Sequence, residues 1–266
     1  MDNPRFYGNP PFQTAVIHGG PGTAGGMAPV ARELAAVCGV LEPLQTESTL
    51  AGQVDELRAI LENSAVLPAV LIGHSWGAWL GYILSARHPR IVKKLILVGS
   101  GGFTEEYAAM TQETRMSRLQ PAQKEELNEA MAILKTSSDE MKNHAFSRMG
   151  EMFSSVDWYD PIEHVSEPIE FRADIFQSVW REAMELRRSG VLLEMGRSIA
   201  CPTVAIHGDY DSHPVEGAKL LSSVIEDFRL ILLENCGHKP WIERRARERF
   251  YAILKDETAD GHTARS

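Results

Sequence analysis

Ala69-Val70-Leu71-Ile72-Gly73-His74-Ser75-Trp76-Gly77-Ala78-Trp79-Leu80-Gly81-Tyr82-Ile83-Leu84 is the stretch whose reading decides the fold. A short apolar run of buried-strand character stops at Gly73, and a helix-forming run starts at Ala78. Between them, residues 73–77 match G-x-S-x-G. On a sharp strand-to-helix turn this pattern holds a serine in a strained conformation with its hydroxyl exposed, and the flanking glycines tolerate the crowding. Ser75 would then sit at a helix N-terminus, where free N–H groups and the positive dipole end favour developing negative charge. The strand-turn-helix context makes Ser75 a specific candidate nucleophile.

Outward from this turn, similar apolar runs recur at 14–17, 94–98, 203–206 and 228–233, with a weaker one at 38–44. Each is followed by a Gly-containing turn or a helical pattern, the rhythm of βαβ units. Continuous apolar runs are what strands covered on both faces require. The predicted class is α/β, a doubly wound, mostly parallel sheet of about six strands. From Phe103 to Met195 the rhythm gives way to polar, helix-forming sequence without a convincing strand. This predicts a helical cap at 103–195 inserted in a core of residues 1–102 and 196–266. Eight of the ten methionines fall in the cap; being flexible, they are expected either to line an adaptable apolar pocket or to pack the cap's own core. The tail after Lys255 reads as frayed.

Bulk properties narrow the classes. A length of 266 residues suits one large domain with an insertion. A net charge of −9 argues against a nucleic-acid partner, and the one basic run, 244–249, is interleaved with glutamate as on a solvated helix face. No stretch approaches the roughly 18 apolar residues of a membrane span, and no membrane partner is expected. Cys38, Cys201 and Cys236 form neither a disulfide framework nor a spaced metal set. The expected setting is cytoplasmic, without a metal, the chain being a monomer or a homodimer.

A serine at its ordinary pKa needs a base, and the base a carboxylate to orient it. Of the nine histidines, His238 follows the last predicted strand in Cys236-Gly237-His238, at the same sheet edge as Ser75. His74 lies inside the turn, His88 at a helix end, and His144 and His164 in the cap, leaving His213 as the rival. For the acid, Gly208-Asp209-Tyr210-Asp211 follows the strand before. Asp211 has more room than Asp209 to turn back over the edge, and Asp209 is expected to serve the turn. An oxyanion needs two donors: Trp76 N–H and, from the loop His18-Gly19-Gly20-Pro21-Gly22, Gly20 N–H. His18 is expected to brace that loop.

His-Gly-Gly-Pro-Gly, Gly-His-Ser-Trp-Gly, His-Gly-Asp-Tyr-Asp and Cys-Gly-His-Lys-Pro-Trp together resemble the α/β-hydrolase superfamily, most closely its proline-iminopeptidase-like branch, over residues 13–100 and 200–255. The resemblance implies the α/β-hydrolase fold, a Ser-His-Asp triad, an acyl-enzyme intermediate and no cofactor. The branch's Asp-Gln-Arg-Gly-type turn is replaced by Leu41-Glu42-Pro43-Leu44-Gln45-Thr46, and the few residues before the first parallel strand leave out the usual N-terminal antiparallel hairpin. The expected substrate is a small to medium, partly apolar ester or amide. One alternative is an aminopeptidase using Glu151, Glu182, Glu185 or Glu194 to meet a substrate ammonium; another is a pocket that binds without turnover.

Overall fold

The computed structural model describes residues 3–136, 138–162 and 169–259. His164 and the last residues of the C-terminal tail lie outside them. In chain order the first half comprises β1 (Arg5–Tyr7), β2 (Phe12–Ile17), β3 (Thr23–Ala24), α1 (Ala28–Leu34), β4 (Gly39–Glu42), α2 (Leu50–Ser64), β5 (Ala69–His74), α3 (Trp76–Arg87) and β6 (Val92–Val98). Four helical stretches then surround a two-residue strand: α4 (Glu105–Arg118), α5 (Pro121–Thr136), α6 (Asp139–Asp157), β7 (Glu170–Phe171) and α7 (Ala173–Arg188). The chain closes with α8 (Val191–Glu194), β8 (Thr203–Gly208), α9 (Val215–Lys219), β9 (Phe228–Leu233) and α10 (Arg247–Ala259).

Seven strands form one sheet in the order β1-β4-β2-β5-β6-β8-β9. All neighbours are parallel except β1, which pairs antiparallel with β4 through Arg5↔Glu42 and Tyr7↔Val40. The six parallel strands are those the sequence predicts. The sequence leaves out an N-terminal hairpin, and what precedes the parallel strands is a single antiparallel edge strand that the sequence reading does not mark. At three residues it is too short for a period to register. A fully buried Glu42 carboxylate accepting from Tyr7 Oη (2.8 Å) and Arg5 Nη1 (3.4 Å) fastens it.

Alternation along the parallel strands sorts the core into two layers. Ala15, Ile17, Leu71, Leu95, Leu97 and Ala205 face a layer with α2 and α3, whereas Val16, Val70, Ile72, Ile96, Val204 and Ile206 face α1 and α10. Strand order reverses between β2 and β5, so the loops after these two strands diverge at the carboxyl edge and leave a crevice there. The C-terminal helix is firmer than its sequence reads. Glu257 is buried beneath β6 and β9, where Lys94 Nζ (3.0 Å) and Arg229 donate to its carboxylate.

Helices α4 to α7 have an apolar cluster of their own around Leu127, Phe146, Met152 and Ala173. Two of the seams that join this segment to the rest of the fold involve α7 and β7. Trp180 of α7 stacks on Trp79 of α3 (ring centroids 5.7 Å apart, planes at 10°), and β7 pairs antiparallel with β3, directly after the Gly-rich loop. No helix among the described residues is long and apolar enough to cross a membrane.

Candidate active site

Ser75 connects β5 to α3 with φ 52° and ψ −112°, a left-handed conformation that L-residues avoid. Its neighbours explain why the turn closes only here. A Cβ on Gly73 would stand 2.2 Å from the Gly77 carbonyl oxygen, and one on Gly77 would stand 2.3 Å from that of Ile17. Ser75 N–H donates to Val98 O at 2.9 Å, tying the turn to the next strand. The serine is partly exposed while its neighbours His74 and Trp76 are buried.

The loop after β2 approaches closely: a Cβ on Gly19 would meet His74 Nδ1 at 2.7 Å and Ser75 Cβ at 3.2 Å. Gly20, at φ 63°, lines the same cavity as Ser75. Trp76 opens α3, so its N–H lies among the helix-initial donors that have no intrahelical acceptor; its indole is turned away and donates to Gln53 Oε1 (3.0 Å). His18 braces its loop as expected, fully buried, with Nδ1 3.1 Å from Gly19 O and Nε2 accepting from Gln45 N–H (3.2 Å). Burial drives its pKa down to about 4, so the ring is neutral.

Asp211, on the loop after β8, and His238, on the loop after β9, meet with Nδ1 2.7 Å from Oδ2. With that proton facing the carboxylate, the lone pair of His238 sits on Nε2. His213, the rival base, is bound to the same acid: its N–H (3.0 Å) and Nδ1 (2.8 Å) both reach Asp211 Oδ1. Burial lowers its pKa to about 4, against the pull of Asp211. Burial alone would raise the Asp211 pKa, but the two imidazoles hold it well below the usual carboxylate range. Donor atoms of Asp211, His213 and His238 lie within 4.8 Å of one another, the spacing of a metal set. Both imidazole Nδ1 atoms are spent on the carboxylate, however, so a cation held through those atoms would have to break both hydrogen bonds. Asp209 does not serve its own turn; Oδ1 accepts from Cys236 N–H (3.1 Å) and steadies the histidine loop.

Ser75 and His238 line one cavity of about 1050 Å³, between the carboxyl edge of the sheet and helix α6. No hydrogen bond joins Ser75 Oγ to His238 among the described residues. The apolar lining includes Phe146, Phe153, Phe171 and Phe176 together with Ile162, Ile169 and Ile242, and no methionine among the described residues takes part. Met110, Met131 and Met141 instead face solvent. Of the four glutamates weighed for an ammonium, only Glu151 lines the cavity, and Arg148 already pairs with it (2.8 Å). Glu182 accepts from Leu50 N–H, while Glu185 and Glu194 pair with Arg188 and Arg197 at the surface.

The chain has counterparts among known proteins. A family model described as "Alpha/beta hydrolase family" matches residues 16–253. The chain belongs to the alpha/beta hydrolase family. Among its relatives, the monoacylglycerol lipase ABHD6 of Bos taurus is 27% identical over 199 residues, covering 73% of this chain and 56% of that protein. The chain thus spans a little over half the length of the curated relatives it matches. The same alpha/beta hydrolase fold is seen in the crystal structure of VinJ, with a TM-score of 0.69, 19% identity, and coverage of 97% of this chain and 94% of that one. It recurs in a proline iminopeptidase of Mycobacterium smegmatis, with a TM-score of 0.62, 17% identity, and coverage of 97% and 94%.

Several residues around this alpha/beta hydrolase site are not singled out by sequence. Gly99, at φ 52° after β6, lies under the His238–Asp211 pair; a Cβ there would stand 3.0 Å from His238 Nδ1 and 3.3 Å from Asp211 Oδ2. Asp157 O accepts from His238 N–H (2.8 Å), and the Asp157 carboxylate is gripped by Arg115 through Nε (3.1 Å to both oxygens) and Nη2 (2.5 Å). Glu243, fully buried, accepts from Gly237, Tyr159 and Asp160 N–H, sewing the histidine loop to the end of α6. Only Gly99 left a signal, as a glycine directly after an apolar run.

Proposed function

We propose that the chain is a serine hydrolase acting on ester, or amide, bonds of a small to medium, partly apolar substrate through an acyl-enzyme. Ser75 Oγ attacks the carbonyl carbon while His238 Nε2 takes its proton. Asp211 holds the imidazole and balances the charge it gains. Gly20 and Trp76 N–H groups hold the oxyanion. The leaving oxygen departs with the proton from His238, and a water, deprotonated by the same Nε2, then releases the acyl group and restores the Ser75 hydroxyl.

The observation that carries this reading is the 2.7 Å contact of His238 with Asp211 on the rim of the cavity that also holds the strained Ser75. Hydrogen bonds between nucleophile and base are commonly loose without substrate and tighten once it binds. The helical segment 103–195 serves as a cap, its phenylalanines receiving the apolar part of the substrate. An ester reading is favoured over an aminopeptidase one because both glutamates that line the cavity among the described residues, Glu151 and Glu33, are already paired with cations. A free ammonium would go without a dedicated counter-charge, which is costly away from water.

Ser75→Ala is expected to lower turnover of 4-nitrophenyl butyrate on the order of 10⁶-fold, since the members of such a triad act as a unit. Wild-type turnover in that variant would remove the proposal. Comparing a proline arylamide with the same ester on one preparation separates the two substrate readings, the ester being turned over faster.

A further inference from the structure

Each carboxylate that lines the cavity among the described residues already has a cation. Asp157 is held by Arg115, Glu151 by Arg148, and Glu33 by Lys255 (2.7 Å), with Arg247 at 3.9 Å. The converse does not hold. Lys239, which follows His238 in the chain and lines the cavity, makes no ion pair or hydrogen bond through its ammonium among the described residues. It lies over the ring of Trp158, 6.0 Å from the centroid. Burial lowers its pKa, with Asp157 opposing only in part. Lys239 is half-buried, and a long flexible lysine escapes to solvent unless something holds it in place. Here it stays on the wall beside the base, in a chain whose net charge is −9.

We propose that the cavity binds substrates carrying one carboxylate, separated from the reacting carbonyl by a short apolar chain, and that Lys239 holds that carboxylate. The inference rests on the hydrolase reading of the same cavity and names its substrate class. One negative charge gives Lys239 the counter-charge it lacks among the described residues. A doubly charged phosphate would leave an excess beside Asp157, and a neutral ester would leave Lys239 as it is. The phenylalanines that line the same cavity take the methylenes, so the ligand is apolar in its middle and charged at one end. Lys239 is assigned to specificity and takes no part in the proton transfers.

Binding separates this from the chemistry. Titrated calorimetrically into full-length Ser75→Ala protein, glutaric acid mono-4-nitroanilide is expected to bind at least tenfold tighter than 4-nitrovaleranilide, its uncharged counterpart of equal chain length. The preference should vanish when Lys239→Met is added and survive when Lys239→Arg is added. Unchanged affinity for the valeranilide shows that the pocket of the methionine variant is intact. Equal affinities for the two anilides, or a preference that persists in Lys239→Met, would overturn the inference. Fluorophosphonate labelling of Ser75 in the wild-type protein reports on the hydrolase reading alone. Labelling without anion preference sinks the inference and leaves that reading standing; anion preference without labelling does the reverse.

Discussion

At the scale of single residues the site rests on backbone conformations that side chains disfavour. Ser75 at φ 52° costs about 1–3 kcal/mol relative to relaxed backbone, and only glycine escapes that cost. Ser75→Gly is therefore expected to raise unfolding free energy in urea by about 1 kcal/mol while activity is lost; a destabilised glycine variant would show that the turn is not strained. Gly99 makes the complementary case. Gly99→Ala places a methyl 3.0 Å from His238 Nδ1 at an unfavourable φ. A displaced imidazole should lower kcat by about tenfold or more while KM barely moves, because a misplacement of about 1 Å is enough to lose such a factor. Ester kinetics on purified protein checks it. Ser75, His238 and Asp211 were readable as candidates because motif, chain order and strand ends converge on them. Gly99 was not, since its role depends on two loops more than a hundred positions away in the chain folding over it.

Among elements, the strands were readable from apolar runs alone, because burial on both faces leaves a continuous signature. The helical segment was readable as helix, but the identity of its pocket wall was not. Flexible methionines and rigid phenylalanines are equally apolar in sequence, and which of them faces the cavity is set by how α6 and α7 rotate against β3 and β7. Ion pairs between elements were hidden for the same reason. Arg115 on α4 and Asp157 at the end of α6 lie 42 positions apart, and both line the cavity. The Asp157 carboxylate is buried; that burial raises its pKa, yet Arg115 brings it below the usual range. Arg115→Met should strand the charge and destabilise the fold by about 3–5 kcal/mol, whereas the double variant with Asp157→Asn should recover part of the loss. Denaturant midpoints of the two variants decide this. Equal losses would mean that the pair contributes nothing beyond packing.

For the molecule as a whole, folding withdraws several imidazoles from water, and stability acquires a pH dependence from them. Burial holds His18 and His213 at pKa values of about 4, against roughly 6.5 in an unfolded chain. Above about pH 6.5 both rings are neutral in either state and folding is unaffected. Between about 6.5 and 4 the unfolded chain binds protons that the folded chain refuses, so stability falls as pH falls, by about 1.4 kcal/mol per pH unit for each ring. Asp211 and Asp157, held below the usual carboxylate range, titrate only under that window and add their losses at lower pH. From pH 7 to 5.5 the two histidines together are expected to remove about 3 kcal/mol, a large share of the 5–15 kcal/mol typical of a domain. His18→Gln keeps a polar group at a fully buried position and cannot take up that proton. Its unfolding free energy should fall less over the same interval, by about 1.4 kcal/mol. Urea titrations of both proteins at the two pH values measure the difference, and an identical fall would mean that His18 is already protonated, or equally free to protonate, inside the folded protein.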